Sequence, residues 1–208
     1  MSPGHLFVFL HGVGATAHSM VSVAFRFQAR FPSAALLLPG GFDPCDARAG
    51  SQQWFSTLGL NDDNRLSRVE AVLPRLESVV REEQRAQGIG PDRTVLVGFS
   101  QGGTVALEAA KALPGLAGAV VAFSSRFARL PLAGTHIGSR IHLVHGEHDA
   151  IVSRVHSERA SRMLAALHVP VTLDIVGDLG HALSHQAVSI GSLRLLQGIY
   201  EGRRSTLH

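Results

Sequence analysis

The segment TVLVGFSQGGTVALEAA, Thr94 to Ala110, decides how this chain reads. Apolar and β-branched residues lead into Gly98-Phe99-Ser100-Gln101-Gly102, and an alanine-rich run leads out. The first run has the character of a buried strand and the second that of a helix. G-x-S-x-G at a strand-to-helix turn is the pattern of a nucleophile elbow, where a strained backbone raises a serine hydroxyl above a sheet. Glycine at 98 and 102 removes side chains that would collide in so tight a turn. The helix that begins at the serine directs its free N–H groups and positive dipole end toward nearby negative charge. A structural glycine turn or a phosphate loop would use similar residues. However, the G-x-G-x-x-G pattern and the lysine of a P-loop are both absent here.

Outward from this segment, strand and helix signals alternate. LFVFL (6–10), AALLL (34–38), GAVVAF (118–123), IHLVHG (141–146) and PVTLDIV (170–176) are short apolar runs expected as strands. Helices are expected over 16–31, 62–87, 101–113, about 153–167 and about 184–200. The 62–87 stretch carries the clearest apolar stripe, and Pro74 within it predicts a kink or break. Residues 39–61 form a long loop rich in Gly, Pro, Asp and Ser, a length that is often functional. Strands that are apolar throughout and alternate with helices predict an α/β fold. Its mostly parallel central sheet would carry helices on both faces and make one domain over 1–208.

Composition narrows the function classes. The chain has 208 residues, 45% hydrophobic and 17% charged, which is globular and not disordered. Of 19 basic residues only Lys111 is lysine, and the arginines of 65–85 are interleaved with glutamates. No basic patch marks a nucleic-acid surface. Cys45 is the only cysteine, so no intrachain disulfide forms, which suits a reducing compartment. MSPGHLFVFLHG has no basic leader, and Leu6–Leu10 is too short for a signal core or a membrane span. A cytoplasmic protein is expected.

A serine nucleophile needs a base, and the base needs an orienting acid; in this fold the chain order is Ser, acid, His. Asp149 follows strand 141–146, and His181 follows strand 170–176. Both stand where a parallel sheet places its sites, at the carboxyl ends of strands. Glu147, Asp174 and Asp178 are rival acids, and Asp149 would also serve as a turn or cap residue. The oxyanion of acyl transfer needs N–H donors. One is expected from Gln101, after the nucleophile, and another from the glycine-bearing loop within FLHGVGATA (9–17). His142 and His145 point to opposite faces of a strand, which argues against a shared metal ion. No metal or organic cofactor is expected. His11 is expected to hold the 9–17 loop by hydrogen bonds, and Cys45 to be incidental.

LHGVGATA, GFSQGG, HGEHDAIV and DLGHALS occur in the order and approximate spacing of the phospholipase/carboxylesterase family of small α/β-hydrolases, and the chain resembles that family over almost its whole length. QWFS, DDNR and GLAGAVVAFSSRFARLP resemble a small bacterial esterase branch. The resemblance implies an α/β-hydrolase fold with a minimal lid. It also implies a triad of Ser100, Asp149 and His181, with the backbone N–H groups of Val13 and Gln101 as oxyanion hole. Trp54 and Phe55 match the family's aromatic pair near the active site; Trp54 would either line an acyl pocket or cap the core. Arg126 departs from the family pattern, and would either hold an anionic substrate group or form a structural ion pair. The expected activity is hydrolysis of a small-molecule or lipid-like ester, with acyl-protein thioesterase or lysophospholipase as the alternative. A non-catalytic hydrolase-fold binder and a peptidase stand further back. No integral membrane association is implied. Family members often dimerise, so a homodimer is open to this chain.

Overall fold

The computed structural model describes residues 3–205. Six strands form one sheet: β1 (Leu6–Leu10), β2 (Ala35–Leu37), β5 (Thr94–Phe99), β6 (Ala119–Phe123), β7 (Arg140–Gly146) and β8 (Val171–Val176). Their spatial order is β2-β1-β5-β6-β7-β8, and every pair is parallel. The expected parallel α/β sheet is therefore present. Two short strands, β3 (Asp43–Pro44) and β4 (Gln52–Gln53), pair antiparallel within the long loop, which the sequence reading left without structure.

Alternation within the strands explains why they read as apolar throughout. Leu6, Val8 and Leu10 point to one face, and Phe7 and Phe9 to the other. Both faces are covered, so neither set can be polar. The first face packs against α2 (Asp62–Glu70), α3 (Leu73–Gln87), α4 (Gln101–Ala112) and α5 (Val155–Ala166). The second packs against α1 (Val21–Arg30) and α6 (His185–Ser205). Phe7, Phe9, Phe27 and Phe123 are fully buried in that second layer, with Phe9 edge-on to Phe27 at 5.7 Å.

The 62–87 stretch is two helices, broken at Ala71–Val72, in line with the break that Pro74 signals. Pro74 sits in the first turn of α3, where its missing N–H costs no helical bond. Asn61 caps α2, its side chain accepting from the Asp63 and Asn64 N–H groups while Asn64 reaches back to the Asn61 N–H.

Candidate active site

Three strand ends converge on the site. β5 ends at Phe99, and Ser100 takes φ 53° and ψ −114° before α4 begins. That conformation is costly for a residue with a Cβ and persists only where the surroundings enforce it. The enforcement is steric. A Cβ on Gly98 would lie 2.5 Å from the Gly102 carbonyl oxygen and the Gly103 backbone. One on Gly102 would overlap the carbonyl oxygens of Leu10 and His11. The elbow is thus packed backbone to backbone against the end of β1.

The loop after β1 lies directly beside the serine: a Cβ on Gly12 would sit 3.5 Å from the Ser100 Cβ and 3.1 Å from the Phe99 ring. Among the described residues, the N–H groups of Val13 and Gln101 have no hydrogen-bond acceptor. His11 is fully buried and holds this loop. Its Nε2 accepts from the Gly41 N–H at 2.8 Å, so Nδ1 carries the proton toward the Gly12 carbonyl at 2.7 Å. Burial lowers its pKa, which keeps the ring neutral.

Asp149 follows β7 and His181 follows β8. The structure brings both to Ser100. His181 Nε2 lies 2.9 Å from Ser100 Oγ, and His181 Nδ1 lies 2.8 Å from Asp149 Oδ2. The Phe99 ring packs against the imidazole at 5.0 Å between centroids. Asp149 uses its second oxygen as a turn: Oδ1 accepts from the Ile151 and Val152 N–H groups at 2.9 and 2.8 Å. The turn and the hydrogen-bond line to Ser100 are therefore held by one carboxylate. Burial pushes its pKa up, but the bonds from His181, Val152 and Ile151 outweigh burial and leave it lowered. The rival acids stand elsewhere. Asp174 makes a two-pronged bond to Arg194 at 2.8 and 2.7 Å, Glu147 is exposed, and Asp178 sits in a turn at φ 54°.

Two contributors escaped the sequence reading. Gln101 was expected only for its backbone N–H. Its side chain also clamps the long loop, accepting from the Trp54 N–H and donating to the Phe55 carbonyl, both at 2.8 Å. His145 was weighed only as a metal ligand. It is fully buried, with Nε2 at 2.7 Å from the Val152 carbonyl and 3.2 Å from Asp149 Oδ2. Its Nδ1 accepts from Ser157 Oγ at 2.7 Å. A carbonyl accepts only, so Nε2 carries the proton and is shared with the carboxylate. Burial lowers the pKa of His145, consistent with a neutral ring. The available signal was polarity: a histidine in an otherwise apolar buried strand must have a partner. His142, on the same strand, bonds Thr172 Oγ1 at 2.9 Å, away from His145.

Trp54 is fully buried, and its indole N–H donates to the His11 carbonyl at 2.8 Å. It also stacks edge-on with Phe42 at 5.2 Å, and with Phe55 lines a cavity of about 260 Å³ beside α2 and α3. Arg126 lies just beyond β6 and pairs with Asp62 at 3.2 Å. No described helix is long and apolar enough to cross a membrane.

Comparison with known proteins gives the family. The Phospholipase/Carboxylesterase family model matches residues 2–192. Esterase YpfH of Escherichia coli (strain K12) is 40% identical over 183 residues, covering 88% of this chain and 78% of that protein. The crystal structure of esterase PE8 superposes with a TM-score of 0.87 at 27% identity, over 94% of this chain and 93% of that one. The Bacillus cereus carboxylesterase shares the fold, with a TM-score of 0.75 at 19% identity over 90% of this chain and 85% of its own. The chain belongs to the phospholipase/carboxylesterase family and is a hydrolase of the carboxylesterase type.

Proposed function

We propose that the protein hydrolyses carboxylic esters by nucleophilic catalysis through Ser100, His181 and Asp149. The observation that carries this reading is the hydrogen-bond line from Ser100 Oγ through His181 to Asp149, beginning at a serine held at positive φ. In the reading, His181 donates Nδ1–H to Asp149 and so presents a free Nε2 lone pair to the serine hydroxyl. Ser100 Oγ attacks the ester carbonyl carbon while Nε2 takes its proton. The carbonyl oxygen becomes an oxyanion, for which the unengaged N–H groups of Val13 and Gln101 are the donors. The C–O bond to the alcohol then breaks, and His181 returns the proton to the leaving oxygen. Water, deprotonated by His181, releases the acid from Ser100. Asp149 stays ionised throughout, stabilising the imidazolium; its lowered pKa suits that role.

Trp54 and Phe55 act in this reading through the loop they anchor. Burial of both, and their bonds to His11 and Gln101, support bracing of the oxyanion loop over direct acyl contact. A lone cysteine supports a reducing, cytoplasmic setting.

The test is hydrolysis of p-nitrophenyl esters from acetyl to palmitoyl by wild type and Ser100→Ala, with fluorophosphonate labelling. Expected is serine-dependent turnover with a label on Ser100. Turnover retained by Ser100→Ala sinks the mechanism. A profile rising steadily toward palmitoyl, with thioesters cleaved faster than esters, would replace the ester reading by a thioesterase one.

A further inference from the structure

Between the start of α2, the segment after β6 and the first turns of α5 is a cavity of about 190 Å³ whose lining is cationic. Arg126, Arg129 and Arg159 line it together with His156, against the single carboxylate of Asp62. Asp62 is already divided between two guanidiniums, Arg126 Nη2 at 3.2 Å and Arg65 Nε at 3.5 Å, and its side chain is 78% exposed. The Arg65 Nε is itself buried without a hydrogen-bond acceptor. Among the described residues the side chains of Arg129 and Arg159 have no ion-pair partner. Repulsion registers on the members of the cluster. Burial, then the neighbouring Arg65 charge, lowers the pKa of Arg126. Burial, then Arg126 and Arg159, lowers that of His156. Arg126 Nε also donates to the Phe127 carbonyl at 3.3 Å, and the side chains of Arg126, Arg129 and Arg159 converge on a volume lined by a single carboxylate.

The cavity is also held in shape and placed near the nucleophile. Its 126–130 wall is fixed to α4 from both sides: Glu108 accepts from the Arg129 N–H at 3.1 Å, and Lys111 donates to the Arg129 carbonyl at 2.8 Å. On the opposite side, Ser157 of α5, whose hydroxyl donates to His145, packs with its Oγ 3.3 Å from the Ser125 carbonyl oxygen. Register sets the distance. Phe99 pairs with Phe123, so Ser124 stands level with Ser100 one strand away, about 4.8 Å. Arg126 follows two residues later, at most about 7 Å of chain. The Arg126 backbone is thus within about 12 Å of Ser100, a gap that the arginine side chain and a short substrate chain together can span.

We propose that this cavity is a subsite for an acidic group, carboxylate or phosphate, carried at the far end of the substrate whose ester Ser100 cleaves. The proposal rests on the esterase reading above for the bond broken. Guanidinium groups bind both acids through paired N–H donors. The volume equals that of about six waters, enough for an acid group with its bonds and too small for a long acyl chain.

The experiment compares esters matched in length and differing in terminal charge: p-nitrophenyl pentanoate, mono-p-nitrophenyl glutarate and the corresponding terminal phosphonate. The readout is the ratio of kcat/KM for the acidic over the neutral ester, so any general loss of activity cancels. Wild type should prefer at least one acidic ester, and the better of the two names the acid. Arg126→Gln and Arg159→Gln should each lower the ratio, Arg126→Gln by roughly tenfold. Asp62→Asn should raise it, because the competing carboxylate is gone; a merely structural ion pair predicts no such gain. Added salt should compress the preference. A ratio of one or less in wild type, or one indifferent to all three substitutions, overturns the subsite while leaving the esterase reading intact. Calorimetric binding of glutarate and inorganic phosphate to Ser100→Ala gives a readout free of turnover. Binding of either that Arg126→Gln abolishes, alongside a wild type that hydrolyses no ester, upholds the subsite and sinks the esterase reading. Binding of neither at millimolar concentration overturns the subsite.

Discussion

Ser100 and Asp149, the proposed nucleophile and acid, are held in place by different means. Around Ser100 the constraint is backbone against backbone: Gly98 against Gly102 and Gly103, and Gly102 against the carbonyls of Leu10 and His11. Around Asp149 it is a set of side-chain and loop hydrogen bonds from His181, Ile151, Val152 and His145. Steric constraint is short-ranged and tolerates no added atom. Hydrogen-bonded constraint is distributed, and each bond contributes only about 1 kcal/mol net. The two ends should therefore fail differently: the serine end through folding, the acid end through rate.

The largest effect is expected at the acid. Asp149→Asn keeps an acceptor for the Ile151 and Val152 N–H groups but favours the wrong imidazole tautomer. A loss of about 10⁴ in kcat is expected, with little change in stability. A fall in melting temperature large enough to account for the lost rate would erase the contrast. Gly102→Ala should do the opposite. Its Cβ overlaps two backbone oxygens that no rotamer can relieve. Destabilisation of about 3 kcal/mol or more is expected, measured by urea unfolding. Near-wild-type stability would show that the elbow is looser than its geometry implies.

Acid pH probes the strand behind Asp149. Burial, reinforced by Arg140 and Arg194 and opposed by Asp174, lowers the pKa of His142 to about 4. The unfolded chain takes up that proton near the ordinary 6.5, so between the two values the unfolded state binds more protons. Stability contributed by neutral His142 is thus complete above about 6.5 and lost as pH falls toward 4, to a total of about 3 kcal/mol. Unfolding of wild type and His142→Gln, each at pH 7 and pH 4.5, checks this: the variant should lose less. Equal losses would assign the acid sensitivity to other groups.

The smallest effect sharpens the comparison most. His145→Phe removes the shared N–H from Asp149 and Val152 while filling much of the same space. A loss of up to about 10² in kcat is expected, with KM for a neutral ester nearly constant, because misplacing the acid affects the transition state. A change confined to KM, or none, would show that Asp149 is positioned by its turn alone.

These differences track what was legible in the sequence. A backbone constraint must be written locally, as glycines at fixed offsets from Ser100, so the elbow could be read from five residues. The sheet was legible for a related reason. Burial on both faces makes each strand apolar throughout, and the order of strands and helices carries the parallel topology. Asp149 and His181 were legible only through their places after β7 and β8; the choice over Glu147, Asp174 and Asp178 needed their distances. The break at Ala71–Val72 was announced by Pro74, while the β3–β4 pair was not legible because it depends on contacts that local pattern does not encode.

The sequence alone determined the parallel α/β sheet and the elbow, since periodicity and glycine placement are properties of neighbours along the chain. Only tertiary structure decided the rest: that Gln101 clamps the Trp54–Phe55 backbone, that His145 bonds the acid, and that Arg126, Arg159 and Arg65 converge beside α2. Such partners lie tens of residues apart or turn on side-chain direction, and their meeting is fixed by the packing of whole elements. A polar residue in a buried strand announces that it needs a partner. Which partner it finds is settled when the strands and helices close around it.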